Sequence, residues 1–151
     1  MRVERNARTS LVALIVALVA IQVVPVDRTN PPVETEIPVP AEVRSILRRA
    51  CYDCHSNETV WPWYSRIAPS AWLVASDVHE GRDELNFSTW NRMTTDAQAK
   101  AIHKSWQEVQ EGGMPPWAYL LPHPDARLSA EDRSVLEKWS RSAGGGDPIE
   151  H

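Results

Sequence analysis

The chain has 151 residues and a formal net charge of −4, from 16 Lys and Arg against 20 Asp and Glu. This length allows one ordinary domain and a targeting segment. The excess of acidic side chains argues against a nucleic-acid-binding protein, which needs clustered Lys and Arg to replace phosphate counterions.

Residues 1–26 have the layout of a signal anchor. Three arginines among the first eight residues precede an apolar run over residues 11–24, which is typical of a secretory signal. The run is shorter than the roughly 20 residues that comfortably span a bilayer. A good cleavage site is nevertheless missing, because Leu18 stands where a small residue is wanted. We therefore predict an uncleaved anchor in the cytoplasmic membrane, with the rest of the chain on the periplasmic side.

Residues 27–40 are rich in proline. Five Pro lie between positions 25 and 40, among charged and amide side chains. Proline in this number forbids a helix and favours an extended, semi-rigid segment. We predict a linker that holds a domain away from the membrane.

Residues 41–143 are predicted to form an all-α domain of about four helices. The first covers residues 41–50, where Val43, Ile46, Leu47 and Ala50 recur at helical spacing. The second begins near Pro69 or Ser70 and ends at Gly81.

Capping signals mark the two remaining helices. Thr95 with Gln98 resembles a capping box that opens the third helix, and Gly112-Gly113 ends it. Ser129 with Asp132 is an N-cap signal for the fourth helix. Three glycines after this helix predict a flexible tail over residues 144–151. The long loops 82–94 and 112–128 favour a bound ligand, because compact domains rarely carry such loops otherwise.

The only two cysteines of the chain form the motif Cys51-Tyr52-Asp53-Cys54-His55. Two thiols at this spacing can each add to one vinyl group of the same porphyrin, and the adjacent imidazole can ligate its iron. Cys-x-x-Cys-His is the attachment signature of c-type haem. The sequence therefore predicts one haem c per chain, bound covalently by Cys51 and Cys54 and ligated by His55.

Three other readings of the motif stay open. A thioredoxin-like dithiol needs a βαβ setting. A structural zinc ion needs four ligands, so that His79, His103 or His123 would have to complete the set. A plain disulfide needs no histidine.

Met114 is the candidate for the second axial ligand of the iron. Methionine with histidine is the common ligand pair of cytochromes c. Met114 lies between Gly112-Gly113 and Pro115-Pro116, in a loop that glycine lets turn and proline stiffens. Met93 is the other internal methionine, in a polar stretch. The alternatives are a gap-filling core role for Met114, an open site, or one of the three other histidines: His79, His103 and His123.

The motif and its surroundings resemble the bacterial haem-binding-domain family, small membrane-anchored proteins similar to class I cytochromes c. The stretches that carry the resemblance are residues 51–59, 61–69, 85–88, 114–116, 123–126 and the helix through Trp139. The resemblance implies a cytochrome c-like fold in which the first and last helices cross, with Ile46 and Leu47 against Leu136 and Trp139. It also implies Met114 as the distal ligand. Residues 82–94 depart from a minimal cytochrome c and are a candidate partner surface or lid.

Residues around the iron ligands are also expected from this resemblance. In class I cytochromes c a proline carbonyl accepts the second ring N–H of the ligating histidine, which here implies Pro69, or otherwise Pro62. Apart from the resemblance, a haem would need donors for its propionates. The sequence offers six possible side chains without ranking them, and ordinary core or surface placement stays open for each: Trp61, Trp63, Tyr64, Arg66, Trp72 and Tyr119.

The expected function is one-electron transfer rather than enzymatic catalysis, with redox proteins at the membrane as partners. A thioether ligand and a buried haem favour the ferrous state. The alternative is a ligand sensor or a peroxidase-type accessory protein with an open or labile sixth site. The sequence does not indicate an oligomeric state.

Overall fold

The computed structural model describes residues 2–143, so the predicted tail over 144–151 lies outside the described residues. Within this range the fold is all-α, as predicted, and the one pairing of β type is an isolated bridge between Thr35 and Thr89. The α helices are α1 (Arg2–Ala20), α2 (Ala41–Ala50), α3 (Tyr52–His55), α4 (Ser70–Glu84), α5 (Thr95–Glu111), α6 (Trp117–Leu120) and α7 (Ala130–Ala143). Short 3-10 turns cover Ile21–Val23, Trp63–Arg66, Trp90–Arg92 and Pro124–Ala126.

The N-terminal helix α1 is exposed along the length for which side chains are described. Residues Asn6–Val23 are long and apolar enough to cross a membrane, by length and composition alone. An exposed apolar helix at the N-terminus is compatible with a membrane anchor. The side of the membrane on which the domain lies stays a prediction.

Helices α2, α4, α5 and α7 correspond to the four predicted helices, with two changed boundaries. Helix α4 continues past Gly81 to Glu84, so this glycine lies inside the helix. The cap of α5 is Thr94 rather than Thr95, and its hydroxyl accepts a hydrogen bond from the amide of Ala97 at 3.3 Å. The side chain of Gln98 does not complete a capping box, because its amide donates to the carbonyl of Trp90 at 3.0 Å.

The predicted cap of the last helix is confirmed. The amide of Asp132 donates to the Ser129 hydroxyl at 3.1 Å, and the amide of Ser129 donates to the Asp132 carboxylate at 2.8 Å. This reciprocal pair satisfies two backbone donors at the start of α7.

The hydrophobic core joins the first and last helices of the domain. Helix α7 packs against both α2 and α5. Ile46 and Leu47 of α2 share one buried cluster with Leu136 of α7, and Trp139 packs partly buried against it. The packing of these helices agrees with the cytochrome c-like arrangement that the resemblance implied.

The proline-rich segment differs from its prediction as a spacer. Ile37 is only 1% exposed and belongs to the main core cluster. Its amide donates to the carbonyl of Phe87 at 3.1 Å, and the amide of Thr35 donates to the carbonyl of Ser88 at 3.2 Å. Proline does keep the chain extended, but an extended chain has free amides that pair with neighbouring carbonyls. We call residues 28–40 the strap, since they lie along the domain instead of holding it at a distance.

Polar side chains fix the strap and the end of the apolar segment to the domain. Glu36 accepts hydrogen bonds from the Tyr52 hydroxyl at 3.1 Å and from Arg48 at 2.8 Å. The side-chain amide of Gln22 bonds both backbone groups of Ala68, at 3.1 and 2.9 Å. The chain from the apolar segment to α2 is therefore held against the region that contains the cysteine–histidine motif.

Candidate functional site

The motif (residues 51–55) begins where α2 ends and continues as the single turn α3. The amides of Cys54 and His55 both donate to the carbonyl of Cys51, at 3.2 and 2.9 Å. Both cysteines are free thiols and partly buried. The turn therefore places both cysteines and the histidine within one helical turn at the junction of α2 and α3.

The imidazole of His55 is held from the end of α4. Its Nδ1 lies 2.8 Å from the carbonyl oxygen of Gly81 and 3.1 Å from that of Leu85. Because carbonyls only accept, Nδ1 carries the proton and Nε2 is the nitrogen with a free lone pair. This is the arrangement of a metal-ligating histidine whose ring is oriented by a second hydrogen bond.

The prediction that Pro69 or Pro62 accepts the hydrogen bond from the His55 ring is wrong. The carbonyl of Pro69 accepts the amide of Trp72 at 3.1 Å, and that of Pro62 accepts the amide of Ser65 at 3.0 Å. Each thus serves its own local turn, at or before the start of α4. The helix crosses the motif with its C-terminal end, where Gly81 and its neighbours supply the carbonyls.

Gly81 allows this close crossing. A Cβ atom at this position would lie 2.7 Å from the carbonyl oxygen of Cys54 and 3.0 Å from its Cβ. Such distances are shorter than van der Waals contact, so only glycine fits without movement of the backbone. Sequence reasoning used Gly81 as a helix stop, whereas a glycine inside a helical pattern can instead mark a close approach.

Residues 85–90 support the motif from behind. The amide of Phe87 donates to the carbonyl of His55 at 2.8 Å, and the Phe87 ring stacks on Tyr52 with centroids 5.4 Å apart. The Ser88 hydroxyl accepts the amide of Asn57 at 2.9 Å. Phe87, Ser88 and Trp90 are all buried. This part of the stretch predicted as a partner surface or lid is thus a structural support of His55.

Burial raises the pKa of both cysteines further above neutral pH. Burial, with a smaller effect of the neighbouring Cys54, raises the pKa of Cys51 to about 12. Burial and the nearby charge of Asp53 raise the pKa of Cys54 to about 11. A reactive redox dithiol has a lowered thiol pKa, so these values argue against the thioredoxin-like reading. Across residues 2–143 no group of three or more His, Cys, Asp or Glu could hold a metal ion, which removes support for a zinc site there.

Met114 follows the end of α5 in a tight turn. Gly112 adopts a left-handed conformation with φ of 79°, and the amides of Gly113 and Met114 both donate to the carbonyl of Glu108, at 2.9 and 3.2 Å. The side chain of Met114 is 37% exposed, so it does not fill a gap in the core. Met93, by contrast, packs against the core cluster. The role of Met114 as the second axial ligand stays a prediction.

The segment that follows Met114 contacts the motif. The Tyr119 hydroxyl of α6 donates to the Asp53 carboxylate at 2.9 Å. The Tyr119 ring stacks on His123 with centroids 4.2 Å apart, and Nε2 of His123 lies 3.5 Å from the Tyr64 hydroxyl. Burial and the charge of Asp53 raise the pKa of Tyr119. The loop of Met114 and the turn of Tyr64 therefore meet beside the motif.

The three alternative histidines have different surroundings. Nδ1 of His103 lies 2.9 Å from the Ser140 hydroxyl, between α5 and α7. Nδ1 of His123 lies 3.1 Å from the carbonyl of Tyr119. His79 is exposed on α4. In His103 and in His123, Nδ1 therefore takes part in an ordinary hydrogen bond within the protein.

Large apolar side chains are exposed in the two segments that meet beside the motif and at the start of α4. Trp63 and Trp117 are 74% and 76% exposed. The other members of this set are Ile67, Trp72, Leu73 and Leu121. These side chains supply apolar surface on which a cofactor could pack.

The structure narrows the candidate propionate donors. The indole N–H of Trp61 donates to Asn30 at 3.2 Å, the Tyr119 hydroxyl is used by Asp53, and the Tyr64 hydroxyl faces His123. The remaining candidates are Trp63, Arg66 and Trp72, all of which are exposed.

The residues present fit a haem. Two free thiols, an imidazole with Nδ1 already bonded, and exposed indole and aliphatic groups are the donor and packing sets that this cofactor requires. The sequence profile of a family described as a haem-binding domain matches residues 16–142. No curated protein and no solved structure gives a significant match. The chain belongs to the haem-binding domain family.

Proposed function

We propose that this haem-binding protein is a c-type one-electron carrier tethered to the cytoplasmic membrane on its periplasmic side. Cys51 and Cys54 would bind one haem covalently, and His55 would ligate its iron. The observation that carries this proposal is the hydrogen bond of 2.8 Å between Nδ1 of His55 and the carbonyl of Gly81. It leaves Nε2 for the metal, beside the two free thiols.

Met114 is the residue that we propose as the second axial ligand. Its side chain is exposed, in the loop that leads directly into α6, and α6 is bonded to the motif through Tyr119 and Asp53. The core packing of Met93 leaves Met114 as the better placed internal methionine. A thioether ligand favours the ferrous state.

The protein residues keep the site rigid while the haem supplies one-electron redox chemistry. Gly81 and Leu85 fix the imidazole of His55 through their carbonyls. The backbone of His55 is fixed in turn by the amide of Phe87. Iron ligands that are held rigidly move little when an electron is gained or lost, which favours fast electron transfer. Trp63 and Trp117 would supply exposed apolar surface to pack on a bound haem.

A ligand-binding haem protein with a labile sixth site is the second candidate. It is favoured by the 37% exposure of Met114, since core packing does not hold this side chain in one position. A sensor or a peroxidase-type accessory protein would use such a site.

A redox-titrated optical spectrum of the full chain in detergent, recorded with and without carbon monoxide, separates the two candidates. We expect a haem c spectrum, a reversible one-electron titration, and no carbon monoxide adduct of the ferrous protein at neutral pH. Ready formation of the adduct would contradict the electron-carrier proposal and support the labile site.

A further inference from the structure

Arg82 holds three separate segments of the chain together. Its Nε donates to the carbonyl of Ser56 at 2.8 Å, and its Nη2 donates to the Thr59 hydroxyl at 2.8 Å. Nη2 also donates to the side chain of Asn30 at 2.8 Å, and Nη1 donates to the carbonyl of Thr29 at 2.9 Å. Helix α4, the loop after the motif and the strap are thus joined by one guanidinium group.

The surroundings of Arg82 are unusual for an arginine at the surface of a protein. All four acceptors are neutral oxygens, and no ion pair to Arg82 occurs in the described range 2–143. Burial lowers the pKa of Arg82, although the charge of Asp27 acts in the opposite direction. Hydrogen bonds from a charged donor are about twice as strong as neutral ones. The planar guanidinium of Arg82 therefore fixes the relative positions of the three segments and does not neutralise a carboxylate.

Arg82 lies in the last turn of α4, between the two acceptors of His55 in the sequence. Gly81 precedes it directly, and Leu85 follows three residues later. Both carbonyls lie within hydrogen-bonding distance of Nδ1 of His55. A displacement of this turn away from Ser56 would lengthen both contacts.

We propose that Arg82 is a positioning residue that locks the last turn of α4 and the strap onto the motif, and thereby sets the hydrogen bonds on Nδ1 of His55. This inference rests on the proposed function, in which His55 ligates the iron. A carbonyl that accepts from Nδ1–H makes the imidazole a stronger electron donor, which stabilises ferric iron. Loss of the lock would weaken these bonds and raise the midpoint potential.

Arg82→Lys is the decisive variant, because it keeps the positive charge but cannot form the four-acceptor fork. Arg92→Lys is the matched control. Arg92 also binds the strap, through its ion pair with Glu34, but it lies in the turn Trp90–Arg92, outside α4 and the motif. A change of charge cannot account for a difference between the two variants.

The first measurement is hydrogen exchange on the haem-free full chain in detergent. The reporting amides are Thr35 and Ile37 in the strap, and Leu85 and Phe87 just after α4. We expect exchange about tenfold faster or more in Arg82→Lys, and no change at Leu85 and Phe87 in Arg92→Lys. Unchanged exchange in Arg82→Lys would overturn the lock.

The second measurement is the midpoint potential of the haem-loaded full chain. We expect a higher potential in Arg82→Lys and the wild-type value in Arg92→Lys. Faster exchange with an unchanged potential would overturn the link to His55 and leave Arg82 with a purely structural role.

A second variant keeps the proposal falsifiable if Arg82→Lys fails to load haem. Asn30→Ala leaves Arg82 in place and removes one of its strap acceptors, together with the hydrogen bonds of Asn30 to the carbonyl of Thr59 and to Trp61. We expect the same directions of change with smaller size, and a wild-type result in both measurements would overturn the proposal. A wild-type chain without a haem c spectrum would instead refute the proposed function, while the exchange experiment would still test the lock.

Discussion

Gly81→Ala is the substitution that most directly tests the packing of α4 on the motif. The new methyl group would lie 2.7 Å from the carbonyl oxygen of Cys54 and 3.1 Å from its carbonyl carbon. These are backbone atoms, which cannot rotate away as a flexible side chain can. Helix α4 must therefore shift away from Cys54, and the hydrogen bond of 2.8 Å from His55 to the carbonyl of Gly81 must lengthen.

The expected cost follows from three effects. Overpacking of this kind costs about 1–3 kcal/mol, and a weakened hydrogen bond adds about 1 kcal/mol. In the opposite direction, alanine stabilises the interior of a helix by about 1 kcal/mol relative to glycine. We expect Gly81→Ala to be less stable than the wild type by about 1–3 kcal/mol, and to carry less covalent haem per chain.

Urea denaturation of the full chain in detergent, followed by tryptophan fluorescence, measures this cost. Gly113→Ala is the matched control, because its methyl group would meet the carboxylate end of Glu108, at 2.7 Å. That end is flexible and can move, so the control should lie within about 0.5 kcal/mol of the wild type. Equal stabilities and equal haem content of Gly81→Ala and the wild type would refute the close crossing of α4 and the motif.

Three further predictions concern the strap, the proposed second iron ligand and the cap of α7. Ile37→Ala should destabilise the domain by about 2–5 kcal/mol in the same denaturation assay, because Ile37 is buried in the core. Met114→Ala should abolish the weak red charge-transfer band of ferric haem with a methionine ligand. Asp132→Asn should cost about 1 kcal/mol at pH 7. Hydrogen bonds from Ser129 and the charge of Arg49 outweigh burial and hold the pKa of Asp132 below its usual 3.8. The ionised carboxylate therefore stabilises the fold above about pH 3.8, and this stabilisation is lost as the pH falls through the lowered pKa. The stabilities of the wild type and of Asp132→Asn should therefore converge in acid.

Each of these predictions has a control in the same region. Val33→Ala alters a strap residue that is 46% exposed and should change stability by less than about 0.5 kcal/mol; an equal loss in both variants would argue against specific burial of Ile37. Met93→Ala should keep the charge-transfer band, and a band that survives in Met114→Ala would refute that ligand. Glu131→Gln, at an exposed position in the first turn of α7, should show no such convergence. A cost of Asp132→Asn that stays constant down to acid pH would contradict the role of its carboxylate.

The helices of the domain could be predicted because their signals are local. The spacing of Val43, Ile46 and Leu47 predicts α2, and the reciprocal pair of Ser129 and Asp132 predicts the start of α7. Both depend only on residues within one or two helical turns. The same holds for the motif itself, which lies within five consecutive residues.

The support of His55 could not be predicted, because it depends on contacts that are distant in sequence. Gly81 is 26 residues from His55, and its role follows from the crossing of α4 over the motif. Ile37 is a single apolar residue among prolines, so no periodicity marks it as part of the core. In the sequence, Arg82 resembles an ordinary surface charge, because its partner Thr29 in the strap is 53 residues away.

Covalent attachment of haem is the central claim, and extraction into acidified organic solvent tests it most directly. The haem should remain with the wild-type chain after export in a host that matures c-type cytochromes. It should become extractable when Cys51 and Cys54 are both replaced by Ala. Extraction of all haem from the wild type, or retention of haem by the double variant, would contradict the account.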